Sequence, residues 1–389
     1  MTTALPLDGV TVLDFSTVGP ASRCSRILGD YGATIIKVGA PPRKGGVQIQ
    51  PPFFSYSAGR GTKRVLIDLK APEGKDAFLR LATSADVIIE SFRPGVVARL
   101  GIGYDDVRAL NPRIVYCSTS GYGQTGPYAK WAGHDINYLG LGGYLACSGR
   151  RADGGPPLPG ATVADSAAGG MHAAMAILAA LHGRHTTSEG AYLDVAVADG
   201  VLSLMSLHID EHLATGAEPG PGTNILTGRY ACYDTYQAGD DKWLAVGAIE
   251  PAFFANLCTA LGLEALIPHQ LDDARQTEIR TAFQQAFRTR DRDAWIAELA
   301  SRDTCVTPAY AVSELVSDPH LTARHAFVQA EHPREGAFRQ LGSVLAGGDR
   351  ERAHYDVPDA ALTDTDALLR AAGLADTDIA HMRGQGIVA

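Results

Sequence analysis

The strongest constraint in this sequence is an alternation over its first 120 residues, in which short β-rich runs are separated by segments of helix length. VTVLDF at 10–15 is followed by STVGPASRCSRILGDYG, a turn and then a helix, and by a second β-rich run, ATIIKV, at 33–38. RVLIDLK at 64–70, a helix from about Glu73 to Ala82, ADVIIES at 85–91, a helix from about Val96 to Ala109, and RIVYCST at 113–119 continue the pattern. Strands separated by helix-length crossovers are the α/β signature, so the expected core is a Rossmann-like parallel sheet. The first turn lacks the G-x-G-x-x-G spacing of a dinucleotide site, so neither NAD nor FAD is implied.

Further along, AYLDVAVADGVLSLMSLHIDEHLATG supplies a strand and then a long helix, and TGAEPGPGTN at 215–224 is the clearest linker. RYACYDTYQ and DKWLAVGAI bracket the turn AGDD and predict a β-hairpin. Helices are expected after Glu250-Pro251 through about Leu261, from about Arg275 to Arg288, and from Asp291 to Ser301. The expected organisation is a large domain over 1–214, a linker at 215–226, a smaller α+β domain over 227–320, and a return segment over 321–389 that completes the large domain and ends in helices.

Composition narrows the function. The net charge of −9 argues against nucleic acid as a general partner, yet residues 1–100 hold 13 basic against 8 acidic side chains, a local excess of +5. A basic patch on an acidic protein suits a phosphorylated small molecule better than a polynucleotide, which needs a broader basic face. The cations gather in the Pro- and Gly-rich stretch GAPPRKGGVQIQPPFFSYSAGRGTKR, which reads as a loop and holds Arg43, Lys44, Arg60, Lys63 and Arg64, and around FRPG, with Arg93 and Arg99. An arginine fork donates two hydrogen bonds to one anion, although any single surface cation is more often simply solvated. Six dispersed cysteines form no C-x-x-C pair, so reduced thiols are expected, with no disulfide framework and no metal site. No apolar run reads as a membrane span and the start lacks the basic and apolar regions of a secretory signal, so a cytoplasmic protein is expected.

Two residues sit in settings that core packing does not explain. His134 lies between Gly133 and Asp135 at the start of a Gly-spaced apolar run, and Asp165 precedes a strong helix pattern 31 residues later. The loop RRADGGPPLPG between them has the Gly and Pro content to fold back and bring both into one cleft. The plainer reading makes Asp165 a helix N-cap and His134 a structural histidine. Glu250 precedes Pro251 at a helix start, although Glu is not a favoured cap there, leaving an exposed charge near the helix dipole as its plain reading.

The company these residues keep resembles a known family. GHDINY at 133–138, ADSAAGGMHAAMAILAAL at 164–181, PLDGVTVLDFSTVGP, ADVIIESFRPGVVARLGIGYDDVRALNPRIVYCSTSGYGQTGP and YDTYQAGDDKWLAVGAIEP occur in the order found in the family III CoA-transferase superfamily. Within it, GHD is similar to the α-methylacyl-CoA racemases, which carry that His, whereas the transferases share the Asp and generally lack the His. The resemblance implies racemisation of 2-methyl-branched acyl-CoA thioesters by proton transfer through an enolate, with no cofactor beyond the CoA of the substrate. A CoA-transferase using Asp165 as nucleophile is the alternative. It further implies His134 and Asp165 as the acid/base pair and Glu250 as the group that hydrogen-bonds the histidine, in an interlocked homodimer. The positions matching Arg60, Gly61, Thr62, Lys63, Arg93 and Arg99 lie at the CoA site of the racemases, as does the GHDINY turn with Gly133, Asp135, Asn137 and Tyr138. Relatives often carry an Arg after the strand matching ATIIKV; Gly39 and Ala40 stand here, so Lys37 or Arg43 takes that phosphate contact.

Overall fold

The computed structural model describes residues 4–42, 52–55 and 59–389. Six strands form one all-parallel sheet: β1 (Thr11–Asp14), β2 (Thr34–Gly39), β3 (Thr62–Leu66), β4 (Val87–Glu90), β5 (Val115–Ser120) and β6 (Ala191–Ala196). Their order, β3-β2-β1-β4-β5-β6, is doubly wound and reverses between β1 and β4. Side-chain alternation divides the core into two layers. Val12, Ile35, Val87 and Ile89 pack with Ala21, Cys24 and Leu28 of α1 (Gly19–Asp30), whereas Leu13, Ile36, Ile88 and Tyr116 pack with Ala77, Phe78 and Leu81 of α2 (Pro72–Ala82). Burial on both faces is why these strands read as continuous apolar runs.

The segment expected as one helix from Val96 to Ala109 is two short ones, α3 (Val96–Leu100) and α4 (Tyr104–Arg108). Gly101, at φ 69°, ends the first turn in the left-handed conformation, which the helical spacing alone does not reveal. α5 (Asp135–Leu141) and the single turn α6 (Tyr144–Cys147) follow. Next comes a π-helical stretch, Ala164–Met171, that runs into α7 (His172–Thr187), past the expected end near Gly183. Ala164–Thr187 is long and apolar enough to cross a membrane by length and composition, contrary to the sequence expectation. Ala173, Ala174, Ile177 and Leu181 of this helix are buried in the sheet's core, so its apolarity has a packing cause. The expected long helix after β6 divides into α8 (Val197–Leu204) and α9 (Ser206–Thr215).

The chain forms two compact units. The larger comprises the described residues of Met1–Gly142, Pro159–Ser206 and Pro319–Ala389; the smaller comprises Gly143–Leu158 and Leu207–Asp318. The smaller unit thus takes in part of the 149–160 loop and all of α9 from Leu207, ahead of the Pro/Gly linker. It contains the expected hairpin, β7 (Tyr233–Gln237) with β8 (Trp243–Gly247), joined by β9 (Val306–Ala309) in an antiparallel sheet. α10 (Pro251–Ala260), α11 (Gln276–Phe287) and α12 (Arg292–Leu299) pack Phe254, Phe283, Phe287 and Trp295 against Tyr236 and Leu244. α13 (Val312–Leu315) ends this unit. After α14 (Pro319–Ala323), a small sheet of β10 (Phe327–His332), β11 (Gly336–Leu341) and β12 (His354–Asp356) belongs to the larger unit, as do α15 (Thr365–Ala371) and α16 (Asp376–Gly384). Leu369, Ile379 and Met382 cover the α2 face of the main sheet.

Packing around the π-helical stretch is tight. A Cβ at Gly200 on α8 would sit 2.0 Å from the carbonyl oxygen of Ala168, whereas one at Gly183 on α7 meets nothing within 4 Å. Gly200→Ala is expected to destabilise the protein by about 1–3 kcal/mol through overpacking. Gly183→Ala removes a helix-interior glycine without a clash and should be neutral or stabilising by up to ~1 kcal/mol. Urea denaturation midpoints of the two variants check both signs.

In the smaller unit Arg292, buried, makes a two-pronged ion pair with Glu314 at 2.7 and 3.0 Å. This pair, joined by the Ala311 N–H, pulls the Glu314 carboxyl down from an ordinary 4.5 to about 2. A depressed carboxylate stabilises the fold above its unfolded pKa, and that contribution is lost as pH falls through the folded value. Glu314→Gln is therefore expected to lower Tm at pH 7, with the deficit relative to wild type shrinking as pH drops from about 4.5 toward 2; a pH-independent deficit in calorimetry would show that the charge is not what matters.

Candidate active site

His134 and Asp165 both belong to the larger unit, and local backbone chemistry sets each. His134 is the residue just before α5, with extended backbone angles (φ −128°, ψ 176°). Its N–H donates to Asn137 Oδ1 at 2.9 Å, satisfying a donor at the helix start and holding the imidazole on an exposed turn. Tyr138 donates its hydroxyl to the Gly133 carbonyl at 2.6 Å. Burial, with smaller contributions from Tyr122, Asp165 and Asp135, pushes that phenol up to about 12. Gly133, Asn137 and Tyr138 thus build the turn that presents His134.

Asp165 is not a cap. The helix begins at Ala164 after Val163, and Asp165 sits inside the π-helical stretch, half-buried. Its N–H donates to Asp135 Oδ1 at 2.8 Å, tying this stretch to the first turn of α5. π turns are rare and occur frequently at functional sites. Desolvation raises the Asp165 carboxyl above its ordinary range; Arg23 opposes this, Asp135 adds to it and His134 opposes it. The structure therefore brings the two sequence-predicted residues within electrostatic reach of each other. Glu250 stands at the start of α10 in the smaller unit, exposed and making no capping bond with its side chain.

The reversal between β1 and β4 marks where an open α/β sheet places its ligand, outside the carboxyl ends of its strands. A cavity of about 650 Å³ lies there, lined by Phe15, Ser16 and Thr17 after β1, Gly39 and Ala40 after β2, Ile67 to Lys70 after β3, and Phe92 after β4. His332, Arg334 and Pro358 close it from the C-terminal part of the chain. That volume suits a nucleotide-sized group.

The predicted phosphate ligands divide sharply. Lys37 lines the cavity while bonded to buried Asp14 and to Ser25 Oγ at 3.0 Å. Arg60 is buried and serves the fold: it pairs with Asp30 at 2.9 Å, donates to the Leu341 carbonyl and lies over the Tyr355 ring. Gly61, at φ 66°, and Thr62, whose hydroxyl donates to the Gly59 carbonyl at 2.7 Å, shape the entry to β3. Lys63, Arg93 and Arg99 are exposed and are not part of the cavity lining, and Arg43 lies outside the described residues.

Arg64, named among the loop cations but not assigned a CoA contact by the sequence reading, is one of the cations that line the cavity. Strand alternation turns Thr62, Arg64 and Leu66 toward the cavity, with Lys63 between them, so the period of two was the signal available. Burial lowers the Arg64 pKa, and among the described residues no carboxylate pairs with its guanidinium. Such a desolvated cation is suited to an anionic ligand.

The α/β fold thus combines a nucleotide-sized cavity at the sheet reversal with a His/Asp pair beside a helix start. The sequence profile of CoA-transferase family III matches residues 7–359, and this chain belongs to that family. It is 34% identical over 328 residues to human alpha-methylacyl-CoA racemase, covering 84% of each chain. It is 31% identical over 353 residues to succinyl-CoA--D-citramalate CoA-transferase of Chloroflexus aurantiacus, covering 87% of each. Among solved structures, a CAIB/BAIF family protein from Brucella suis matches with a TM-score of 0.70 at 27% identity, over 84% of this chain and 89% of that one. Rv3272 from Mycobacterium tuberculosis matches with a TM-score of 0.77 at 25% identity, over 92% and 97%.

Asp135 offers a test of the site's electrostatics. Its negative charge raises Asp165, while its Oδ1 holds the Asp165 N–H. Asp135→Asn keeps an acceptor and removes the charge, so the Asp165 pKa should fall. Any activity that needs ionised Asp165 should then show its acid limb at lower pH, read from the pH dependence of kcat/KM.

Proposed function

We propose that this protein racemises 2-methyl-branched acyl-CoA thioesters by proton transfer through an enolate. The observation that carries the reading is the pairing of His134, at the start of α5, with a half-buried Asp165 whose carboxyl is raised by desolvation. The similarity to the human racemase, which shares most of its length with this chain, also supports it.

The α-proton of a thioester is only weakly acidic, so its removal at neutral pH needs a positioned base and stabilisation of the oxygen that gains charge. One base takes the proton from one face. The C–H electron pair moves into the enolate, and the conjugate acid of the other base returns a proton to the opposite face. Each turnover leaves the pair with exchanged protonation states, which solvent resets. Asp165 must therefore serve both as carboxylate and as carboxylic acid, and a raised pKa brings the acid form within reach. The positive end of the helix that begins at Ala164 is the stabiliser proposed for the enolate oxygen. Glu250 is assigned to orient the imidazole and favour its charged form, supplied by a second copy of the chain.

The CoA portion is assigned to the cavity at the sheet reversal, with Arg64 and Lys37 offering positive charge and Phe15 and Phe92 offering apolar walls. No cofactor beyond CoA is required. A homodimer belongs to the same proposal, supported by exposed Leu207 and Leu213 on α9 and exposed Met171 and Met175 along one stripe of the long helix.

Deuterium exchange separates this reading from a transferase. With single enantiomers of a 2-methylacyl-CoA in D2O, His134→Ala and Asp165→Ala should each abolish inversion, with a drop in kcat of about 100-fold or more. The His134 variant should still exchange the R substrate and the Asp165 variant the S substrate, each with retained configuration. If His134→Ala left CoA exchange between carboxylates intact and hydroxylamine trapped an acyl group on Asp165, the transferase reading would replace this one.

A further inference from the structure

Arg23 lies on α1, far in sequence from the residues assigned to the chemistry, yet it grips the chain on both sides of Asp165. Its Nε donates to Ser166 Oγ at 2.8 Å, and a terminal guanidinium nitrogen donates to Thr162 Oγ1 at 2.5 Å. Thr162 and Ser166 are also joined by a 2.9 Å bond from the Ser166 N–H to the Thr162 carbonyl. The guanidinium therefore closes a ring around the one turn that carries Asp165. Two glycines let α1 come this close: a Cβ at Gly169 would lie 2.5 Å from Pro20 Cβ, and one at Gly170 would lie 2.8 Å from Arg23 Cβ.

We propose that Arg23 is a positioning residue for Asp165: by bridging Thr162 and Ser166 it fixes the turn that aims the carboxylate and keeps a permanent positive charge beside it. The assignment rests on the acid/base reading above and extends it to a residue that touches no substrate. A planar fork is the right group for two hydroxyls at fixed separation, which a lysine ammonium cannot span in the same way.

The charged and titratable groups around Asp165 come from each element packed on its turn. α1 brings Arg23, the α5 end brings His134, Asp135 and Tyr138, α7 begins with His172, and α8 carries Asp199. After desolvation, Arg23 is the largest influence on the Asp165 carboxyl, and it acts downward. Without it, burial and Asp135 would be opposed by His134 alone among the groups acting on this carboxyl, leaving Asp165 protonated over more of the pH range and less able to act as a base.

The test is a carboxyl-13C NMR titration of Asp165 in the full chain, with Asp165→Asn identifying the resonance, run beside D2O exchange of each 2-methylacyl-CoA enantiomer. In Arg23→Gln the Asp165 midpoint should rise. Exchange of the R substrate should fall about tenfold on its acid limb, as for loss of a charge-assisted hydrogen bond, while exchange of the S substrate by His134 keeps its rate. Arg23→Lys should hold the midpoint near wild type yet lose R-selective rate. A midpoint unmoved in folded Arg23→Gln, or equal loss of both exchanges, overturns the assignment. If Arg23→Gln does not fold, Thr162→Val with Ser166→Ala breaks both hydroxyl bonds while keeping the guanidinium; an unchanged ratio of R to S exchange there overturns the assignment and a fall in that ratio supports it. Wild-type protein that exchanges neither enantiomer while the midpoint still moves would remove the racemase reading and leave the Arg23–Asp165 coupling in place.

Discussion

The close approach of α1 and α8 to the π-helical stretch is the constraint on which this site depends. A Cβ at Gly169, Gly170 or Gly200 would fall between 2.0 and 2.8 Å from its neighbours, distances that packed atoms do not tolerate. The two flanking helices therefore define where the backbone at Asp165 can go. A regular α-turn would draw these residues into a narrower spiral; the wider π turn is the form compatible with both neighbours and with the bond from the Asp165 N–H to Asp135.

That geometry controls charge. Asp165 lies where burial disfavours its carboxylate, with a cation from α1 and an anion from α5 pulling in opposite directions. Desolvation by itself favours the acid form of this carboxyl, and Arg23 by itself favours the carboxylate. An acid/base catalyst must be both in turn, and opposing charges at short range are how a protein obtains intermediate behaviour from one side chain. The carboxylate of Asp135 does two jobs here, since the oxygen that fixes the Asp165 backbone also belongs to the group that raises its pKa.

Much of this was legible in the sequence, for identifiable reasons. Strands buried on both faces leave long apolar runs, so VTVLDF, ATIIKV and ADVIIES announced the sheet, and Gly and Pro clusters marked the hairpin and linker. The His134 and Asp165 positions were readable because a Gly-flanked histidine and an acidic helix start have little to do with packing. The break at Gly101 was not, because its cause is a single left-handed residue inside an otherwise helical pattern. Nor were the internal roles of Arg60 and Lys37, whose partners Asp30 and Asp14 come from α1 and β1, distant in sequence and adjacent only once the sheet has formed. Arg23 was invisible for the same reason: nothing in STVGPASRCSRILGD signals a hydroxyl pair about 140 residues away.

Racemisation and CoA transfer make opposite demands on one aspartate, and the surroundings of Asp165 bear on which demand is met. A nucleophilic carboxylate must be ionised when the thioester arrives, so a site built only for transfer gains from every nearby cation and loses from every nearby anion. A general acid/base gains from a pKa raised part of the way toward working pH. Here the surroundings combine both: Arg23 favours the anion, while burial and Asp135 favour the acid, and burial is the largest of the three. His134 tips the comparison further. A nucleophile has no use for a second titratable group on the far side of an enolate, whereas inversion cannot proceed without one. On the proposed racemase reading, the imidazole on the exposed turn fixed by Asn137, within electrostatic reach of Asp165, is that second group; on the transferase reading it has no such role.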